Sequence, residues 1–536
     1  MDQGRQEKGF TRKQLLGSAA AAVPATLLGR EARATARGNS ADLGPGPGPG
    51  SFAGKNVIIF LTDQERSIQH FPKGWARRNL PGLMRLRQNG LTFTNAFTNA
   101  CMCSPARSTW MTGYFPSQHG VKYTLEEDMP ADEGYPQVEL STGFPNLATV
   151  MSAAGYNSVY KGKFHCVKMA GSEWAPSDVG QFGFTRWNPP DAGANQDISE
   201  AGGGTTDNDG RFMNSVGSVD AGDEGVLQYL STAAREQQPF FLVISLVNPH
   251  DVLFYPKSYE SAGYDDSWLE GDIHVPATAN EDLNDGKPSV QEQFLRIFSL
   301  TGPIPTPRRK RDYINFYGNL IKSSDNYLVQ VLDKLEQTGL YEDTVIIRTA
   351  DHGEMGTTHG GLRQKNFNFY EEAIGIPLVY SNPVLYPRPY VSDAIVSHVD
   401  LLPTLATLFN APTSARAEWQ GVDYSRVVEN PKSRRTQDYT VFTFDDYQSG
   451  QATGPYPQPP NHVVAIREAR WKLAKYFDAD SNMPNQWEMY DLRTDPSEST
   501  NLAAPGYERT KVQEQQLRRL KRKLARVQKT RLQPLE

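Results

Sequence analysis

Three short apolar runs punctuate the chain: Asn56 to Leu61, Phe240 to Leu246 and Thr344 to Thr349. Each is continuous rather than alternating. Runs of this length rich in β-branched residues predict strands buried on both faces. Between them lie helix-like stretches at Leu80 to Gln88, Asn146 to Ala154, Glu224 to Glu236 and Tyr313 to Thr338. Strands alternating with helices predict an α/β fold, with a large mixed, mostly parallel sheet sandwiched by helices. Ligands of such sheets bind beyond the carboxyl ends of the strands, so chemistry is expected in the polar residues that directly follow each run. The pattern changes later. Ala469 to Tyr476 and Trp487 to Leu492 alternate as antiparallel strands do, Asp495-Pro496-Ser497-Glu498 makes a turn, and a helix is expected from about Tyr507 to Lys529. We read a main domain over 55–410 and a smaller C-terminal α+β subdomain over 411–536.

A chain of 536 residues exceeds one typical core, which fits this division. The net charge of -6 argues against indiscriminate nucleic-acid binding by the whole molecule. Three cysteines, Cys101, Cys103 and Cys166, are too few for a disulfide framework, and the sequence leaves open whether Cys101 and Cys166 pair. Arg518, Arg519, Lys521, Arg522 and Lys523 cluster on the terminal helix. They read as a solvated face with Leu517, Leu520 and Leu524 turned inward, in preference to a patch for an acidic surface.

The first 34 residues read as an export signal. Basic residues precede an apolar stretch from Leu15 to Leu28, and Ala32-Arg33-Ala34 offers a cleavage site. Thr11-Arg12-Lys13-Gln14-Leu15-Leu16 resembles a twin-arginine signal with Lys in the second position. An uncleaved amphipathic leader is the alternative. Residues 35–54, with Gly44-Pro45-Gly46-Pro47-Gly48-Pro49-Gly50, read as a linker. No later run has about 18 apolar residues, so no stable membrane span is expected. The chain is expected to be exported, to the periplasm or beyond, with the export machinery as a partner.

Cys103-Ser104-Pro105-Ala106-Arg107, followed by Thr112-Gly113, Pro116 and His119-Gly120, resembles the signature of type I, formylglycine-dependent sulfatases of the alkaline-phosphatase-like superfamily. The resemblance runs from about Lys55 to Leu502, and its motifs stand in family order. It implies that a formylglycine-generating enzyme oxidises Cys103 to 3-oxoalanine. The hydrated aldehyde offers two hydroxyls, one to attack the ester and the other to collapse and expel sulfate. Arg107 would orient that nucleophile.

Thr62-Asp63-Gln64 ends the first run and Ala350-Asp351-His352 the third, placing paired ligands on one sheet edge. Carboxylate and carbonyl oxygens suit calcium, magnesium or manganese, and an imidazole shifts the balance toward manganese. The resemblance implies one divalent cation held by Asp63, Gln64, Cys103, Asp351 and His352, with calcium first by family. The Asp-Gln and Asp-His pairs look more like the choline-sulfatase and phosphonate monoester hydrolase branches. Lys161-Gly162-Lys163-Phe164-His165 resembles the family's G-K-W-H motif with Phe for Trp. It implies that Lys163 holds an ester oxygen and that His165 takes a proton when the sulfo-enzyme breaks down. Asn248-Pro249-His250 resembles the Pro-His that protonates the leaving oxygen, and Lys365 matches a second active-site lysine. His119, His359 and His398 receive no role, and Cys166 is read as core.

The expected activity is metal-dependent hydrolysis of sulfate monoesters of small molecules or carbohydrates. Two alternatives stand beside it. One is a formylglycine-dependent phosphonate monoester hydrolase or phosphodiesterase, and the other is an unmodified protein that binds sulfated glycans without turning them over.

Overall fold

The computed structural model describes residues 46–67, 70–126, 136–194, 197–433, 436–451 and 454–535. The export signal over 1–34 and most of the linker over 35–54 therefore lie outside the described residues. The three apolar runs are strands: β1 (Asn56–Thr62), β4 (Phe240–Leu246) and β5 (Thr344–Ala350). With β2 (Gly90–Phe97), β3 (Asn157–Gly162), β6 (Leu378–Ser381) and β7 (Tyr390–Ser397) they form a seven-stranded sheet ordered β3-β4-β1-β5-β6-β2-β7. Strands β3, β4, β1 and β5 are mutually parallel, as are β2 and β7, while β6 runs antiparallel to both its neighbours.

Alternate residues of the central strands feed two different cores, and this is why the runs are continuous. Val57, Ile59 and Leu61 pack on one face with Val243 and Ile347, while Ile58 and Phe60 pack on the other with Ile244 and Ile346. Full burial of such side chains contributes roughly 1.5–3 kcal/mol each. A second sheet, ordered β11-β10-β9-β8, is antiparallel throughout and comprises β8 (Tyr439–Phe444), β9 (His462–Glu468), β10 (Trp471–Phe477) and β11 (Gln486–Asp491). It meets the larger sheet where the Thr443 N–H donates to the Asn99 carbonyl at 2.9 Å.

Four details differ from the sequence reading. The long helix starts six residues before Tyr313, at Pro307, because proline is preorganised for a first helical turn and Thr306 caps it. The folded part begins before Lys55, because Phe52 is fully buried with its ring against Phe409 and Tyr386, which anchors the end of the Gly/Pro run. Tyr424, Val427 and Val428 pack into the larger sheet's core, so the residues just past 410 still belong to that core. The terminal helix runs Lys511–Arg531. Leu517, Leu520 and Leu524 face inward, and Arg519 and Lys523 both close on Glu468, at 2.5 and 2.6 Å. Among the described residues no helix is long and apolar enough to cross a membrane.

Candidate active site

Four adjacent strands, β3, β4, β1 and β5, each end in a residue of the expected chemistry. Lys163 follows β3, His250 lies just past β4, Asp63 follows β1 and Asp351 follows β5. Neighbouring strands lie about 4.8 Å apart, so sheet order alone gathers groups that are hundreds of residues apart in sequence. Cys103 opens a fully buried ten-residue helix (Cys103–Thr112) over this edge.

Asp63, Cys103, Asp351 and His352 bring potential ligand atoms within 4.8 Å of one another. His352 Nδ1 lies 3.1 Å from the Gly353 carbonyl. A carbonyl only accepts, so Nδ1 carries the proton and Nε2 presents its lone pair. That Nε2 stands 3.3 Å from Cys103 Sγ and 3.8 Å from Oδ1 of both Asp63 and Asp351. The outer carboxylate oxygens are taken by Arg107, whose Nη2 meets Asp63 Oδ2 at 3.2 Å and whose Nε meets Asp351 Oδ2 at 2.9 Å. Two inward carboxylate oxygens and one inward imidazole lone pair make a set that fits a divalent cation. Gln64 sits beside this set at φ 66°, with its Nε2 donating to Glu354 at 2.6 Å and its Oε1 accepting from Lys365 Nζ at 2.7 Å.

Arg107 was expected to orient the nucleophile. Its guanidinium reaches the two aspartates, the Lys163 carbonyl and Ser245 Oγ, the last two at 2.9 Å. A side chain one helical turn beyond Cys103 projects past it toward the strand ends, and there it positions the carboxylates. Burial alone would raise the Asp63 carboxyl, but Lys163, His250, Arg107 and His352 hold it well below the usual carboxylate range. Lys163 Nζ is 2.5 Å from Asp63 Oδ2 and also donates to the Gly193 carbonyl.

His165 is held at φ 52° with its Nε2 2.6 Å from the Leu125 carbonyl. By the same acceptor argument Nε2 is protonated, and the buried Nδ1 keeps a lone pair with no hydrogen-bond partner among the described residues. Burial and Lys163 keep this imidazole below its ordinary pKa against the pull of Cys103. His250 is buried and makes no side-chain hydrogen bond among the described residues. Burial, with Lys163, Lys365 and His352, lowers its pKa well below the ordinary value despite Asp63.

Several contributors had no signal in the sequence. A strap over residues 187–193 grips the turn after β3. Trp187 Nε1 donates to the Gly162 carbonyl at 2.8 Å and Asn188 Oδ1 accepts from the Gly162 N–H at 2.9 Å. Asp191 accepts from the Phe164 N–H at 2.8 Å and from the His165 N–H at 2.7 Å. Glu354 gathers Gln64, Tyr313 Oη and the Gly356 and Gln364 N–H groups. Trp187, Asn188 and Asp191 lie in no periodic run or familiar spacing. The unassigned histidines are placed as supports. His119 bonds Thr109, His398 bonds the Ala350 carbonyl at the end of β5, and His359 pairs with Glu281. Cys101, Cys103 and Cys166 are all unbridged and buried, and Cys166 packs in the core.

Comparison with known proteins places this geometry in a family. The profile described as Sulfatase matches residues 55–411, and that described as N-sulphoglucosamine sulphohydrolase, C-terminal, matches residues 359–530. The choline-sulfatase of Rhizobium meliloti is 26% identical over 462 residues, covering 84% of this chain and 82% of its own. The solved structure of a 2-O GAG sulfatase aligns with a TM-score of 0.65 at 20% identity, covering 89% of this chain and 92% of that one. The phosphonate monoester hydrolase of Agrobacterium radiobacter aligns with a TM-score of 0.60 at 20% identity, covering 88% and 96%. With the match extending over well more than half of its length and its strand ends arranged as above, the chain belongs to the sulfatase family and has the alkaline-phosphatase-like fold.

Proposed function

We propose that this protein hydrolyses sulfate monoesters of small molecules or carbohydrates, with Cys103 converted to formylglycine and one divalent cation held by Asp63, Asp351 and His352 beside Gln64. The observation that carries the reading is the meeting of Cys103 Sγ with His352 Nε2 at 3.3 Å, inside a ring of two carboxylates and fixed cations. The modified residue would supply a hydrated aldehyde as nucleophile, and the cation would withdraw charge from an ester oxygen. Calcium is the first choice by family, and the imidazole leaves manganese open.

The protein's own groups then divide the work. Lys163 and Lys365 hold ester oxygens where negative charge grows, which in a water-poor site lowers the barrier substantially. His165 takes a proton at Nδ1, the atom its Leu125 hydrogen bond leaves free. His250, whose side chain makes no hydrogen bond among the described residues, donates a proton to the leaving oxygen. Burial lowers its pKa, and the negative charge of a bound ester draws the proton back onto it. The reading extends to export through the N-terminal segment, with maturation before the chain leaves the cytoplasm.

The Asp-Gln and Asp-His ligand pairs favour one second reading, a formylglycine-dependent phosphonate monoester hydrolase. Two measurements decide. The Cys103 peptide of mature protein should lie about 18 Da below the unmodified mass. Turnover should be faster on nitrophenyl sulfate than on a phenylphosphonate ester. An unmodified peptide sinks the formylglycine chemistry, and the reverse preference transfers the protein to the second reading.

A further inference from the structure

The imidazole assigned to the leaving oxygen is directed without a hydrogen bond of its own. His250 makes none through its side chain among the described residues, whereas the turn that carries it, from Val247 to Asp251, is tied down on several sides. The His250 N–H closes on the Val247 carbonyl at 3.1 Å, and the Val252 N–H closes on the Pro249 carbonyl at 3.2 Å. Ser324 Oγ, from the long helix, donates to the Asn248 carbonyl at 3.0 Å. Asp251 takes the Gly202 and Gly203 N–H groups at 3.0 and 2.9 Å, and the Tyr264 hydroxyl as well.

Asp209 holds the entrance to this turn. It is 1% exposed, and each of its oxygens is committed: Oδ1 accepts the Val247 N–H at 2.6 Å and Oδ2 the Asn248 N–H at 3.0 Å. These are the first two peptide N–H groups past the end of β4. A buried N–H without an acceptor is costly, and this one carboxyl satisfies both.

The carboxyl is itself anchored. Asp209 is the second residue of the short helix Asn208–Asn214, and its N–H donates to the Gly202 carbonyl at 2.9 Å. Only a glycine permits that approach, for a Cβ at Gly202 would stand 2.8 Å from Val247 Cβ and 2.9 Å from Asp209 Oδ2. Phe212, from the same helix, packs with Val247 and with Ala192 of the strap that directs His165. Burial raises the Asp209 pKa against the pull of its two N–H partners. The arrangement needs acceptor oxygens rather than a charge, and a neutral carboxyl still offers one.

We propose that Asp209 is a positioning residue for the leaving-group acid. By fixing the Val247–Asn248 backbone it sets where the His250 ring stands, and with it the line along which the proton reaches the leaving oxygen. The inference rests on the sulfatase reading above and on His250 as its acid. A general acid must lie within hydrogen-bond reach of the atom it protonates, and a displacement of about 1 Å costs up to about a hundredfold in rate. The His250 ring has no hydrogen bond of its own to correct such a displacement.

The test uses the mature, metal-loaded full chain and two esters: nitrophenyl sulfate, whose leaving group departs with little help, and a hexose sulfate, which needs the proton. Asp209→Ala and Asp209→Asn are made in the parent and in a His250→Ala background, with melting curves alongside. In the parent, Asp209→Ala should lower kcat on the hexose ester roughly tenfold to a hundredfold more than on nitrophenyl sulfate, with KM little changed. Asp209→Asn, which keeps one acceptor oxygen, should show a smaller split. In the His250→Ala background the split should vanish, because the group being positioned is gone. A carboxyl that only stabilises the fold predicts equal losses on both esters, following the fall in melting temperature and persisting without His250. Equal losses, or a split of the same size in both backgrounds, overturn the assignment and leave the sulfatase reading standing. Where Asp209→Ala does not accumulate as folded protein, Asp209→Asn decides by the same two comparisons. A His250→Ala variant that loses equally on both esters removes the acid role and this assignment together, as does a parent that cleaves nitrophenyl sulfate but no hexose sulfate. A parent inactive on both esters sinks the sulfatase reading itself.

Discussion

Asp191 holds His165 by its backbone rather than by its ring, accepting the His165 peptide N–H at 2.7 Å where that residue sits at φ 52°. The left-handed conformation is uncommon for a residue with a Cβ and persists where its surroundings impose it. The same carboxylate takes the Phe164 N–H, and the nearby Gly193 carbonyl takes the Lys163 ammonium. One short strap therefore sets the direction of two side chains assigned to the chemistry. Asp191→Ala should lower kcat about a hundredfold with little change in KM, given how steeply rate depends on placement of the reacting groups. Asp191→Asn, which retains one acceptor, should lose less. Steady-state kinetics with melting curves check this. Losses that track the fall in melting temperature across both variants would make Asp191 merely structural.

His250 and His165 should separate by leaving group. A nitrophenolate departs with little help, whereas a sugar alkoxide needs a proton. His250→Ala should cost roughly tenfold to a thousandfold more on a carbohydrate sulfate than on nitrophenyl sulfate. His165→Ala should slow both alike when release of sulfate limits turnover. Equal losses by His250→Ala on the two esters would remove it from the acid role.

The ligand cluster makes a prediction about metal. Chelation should abolish turnover, and a divalent cation should restore it. Asp351→Asn should weaken the restoring cation's affinity at least tenfold, because a neutral amide replaces one of two inward carboxylates and leaves Arg107 without a charged partner there. Metal titration followed by activity, with calcium and manganese compared, reads this out. Identical titrations for variant and parent would move the cation elsewhere.

Stability should depend on His359 at alkaline pH. Burial disfavours its charge, yet Glu281 at 2.8 Å and Glu372 at 3.7 Å raise its pKa from 6.5 to about 9. A pKa raised by folding contributes stability that is complete below about pH 6.5 and is lost as pH climbs through about 9. The full difference corresponds to about 3 kcal/mol at most. His359→Gln should lower the melting temperature near pH 6.5, and the gap between parent and variant should close toward pH 10. A gap that is constant with pH would contradict the ion pair.

Much of the fold was legible because strands buried on both faces must be written as continuous apolar runs. Asn56 to Leu61, Phe240 to Leu246 and Thr344 to Thr349 are strands, and Asp63 and Asp351 stand directly after two of them. Helix ends were read less well. Pro307 begins the long helix because Thr306 caps it, a local signal weaker than the apolar periodicity that starts at Tyr313.

The candidate site divides the same way. Cys103, Lys163, His165 and His250 were proposed from their resemblance to family motifs, and Asp351 and His352 also from their place at a strand end, since few side chains can act as nucleophile, proton carrier or ligand. Residues that hold them were not. Asp191 and the Leu125 carbonyl act through backbone N–H and C=O groups, which every residue possesses, so no letter in the sequence marks them. Arg107 was found by motif, but its partners depended on where the ends of β1 and β5 lie relative to its helix. Sequence specified which groups exist and which strand ends carry them. Only the packed sheet, by bringing β3, β4, β1 and β5 side by side, decided which lone pairs and protons face one another.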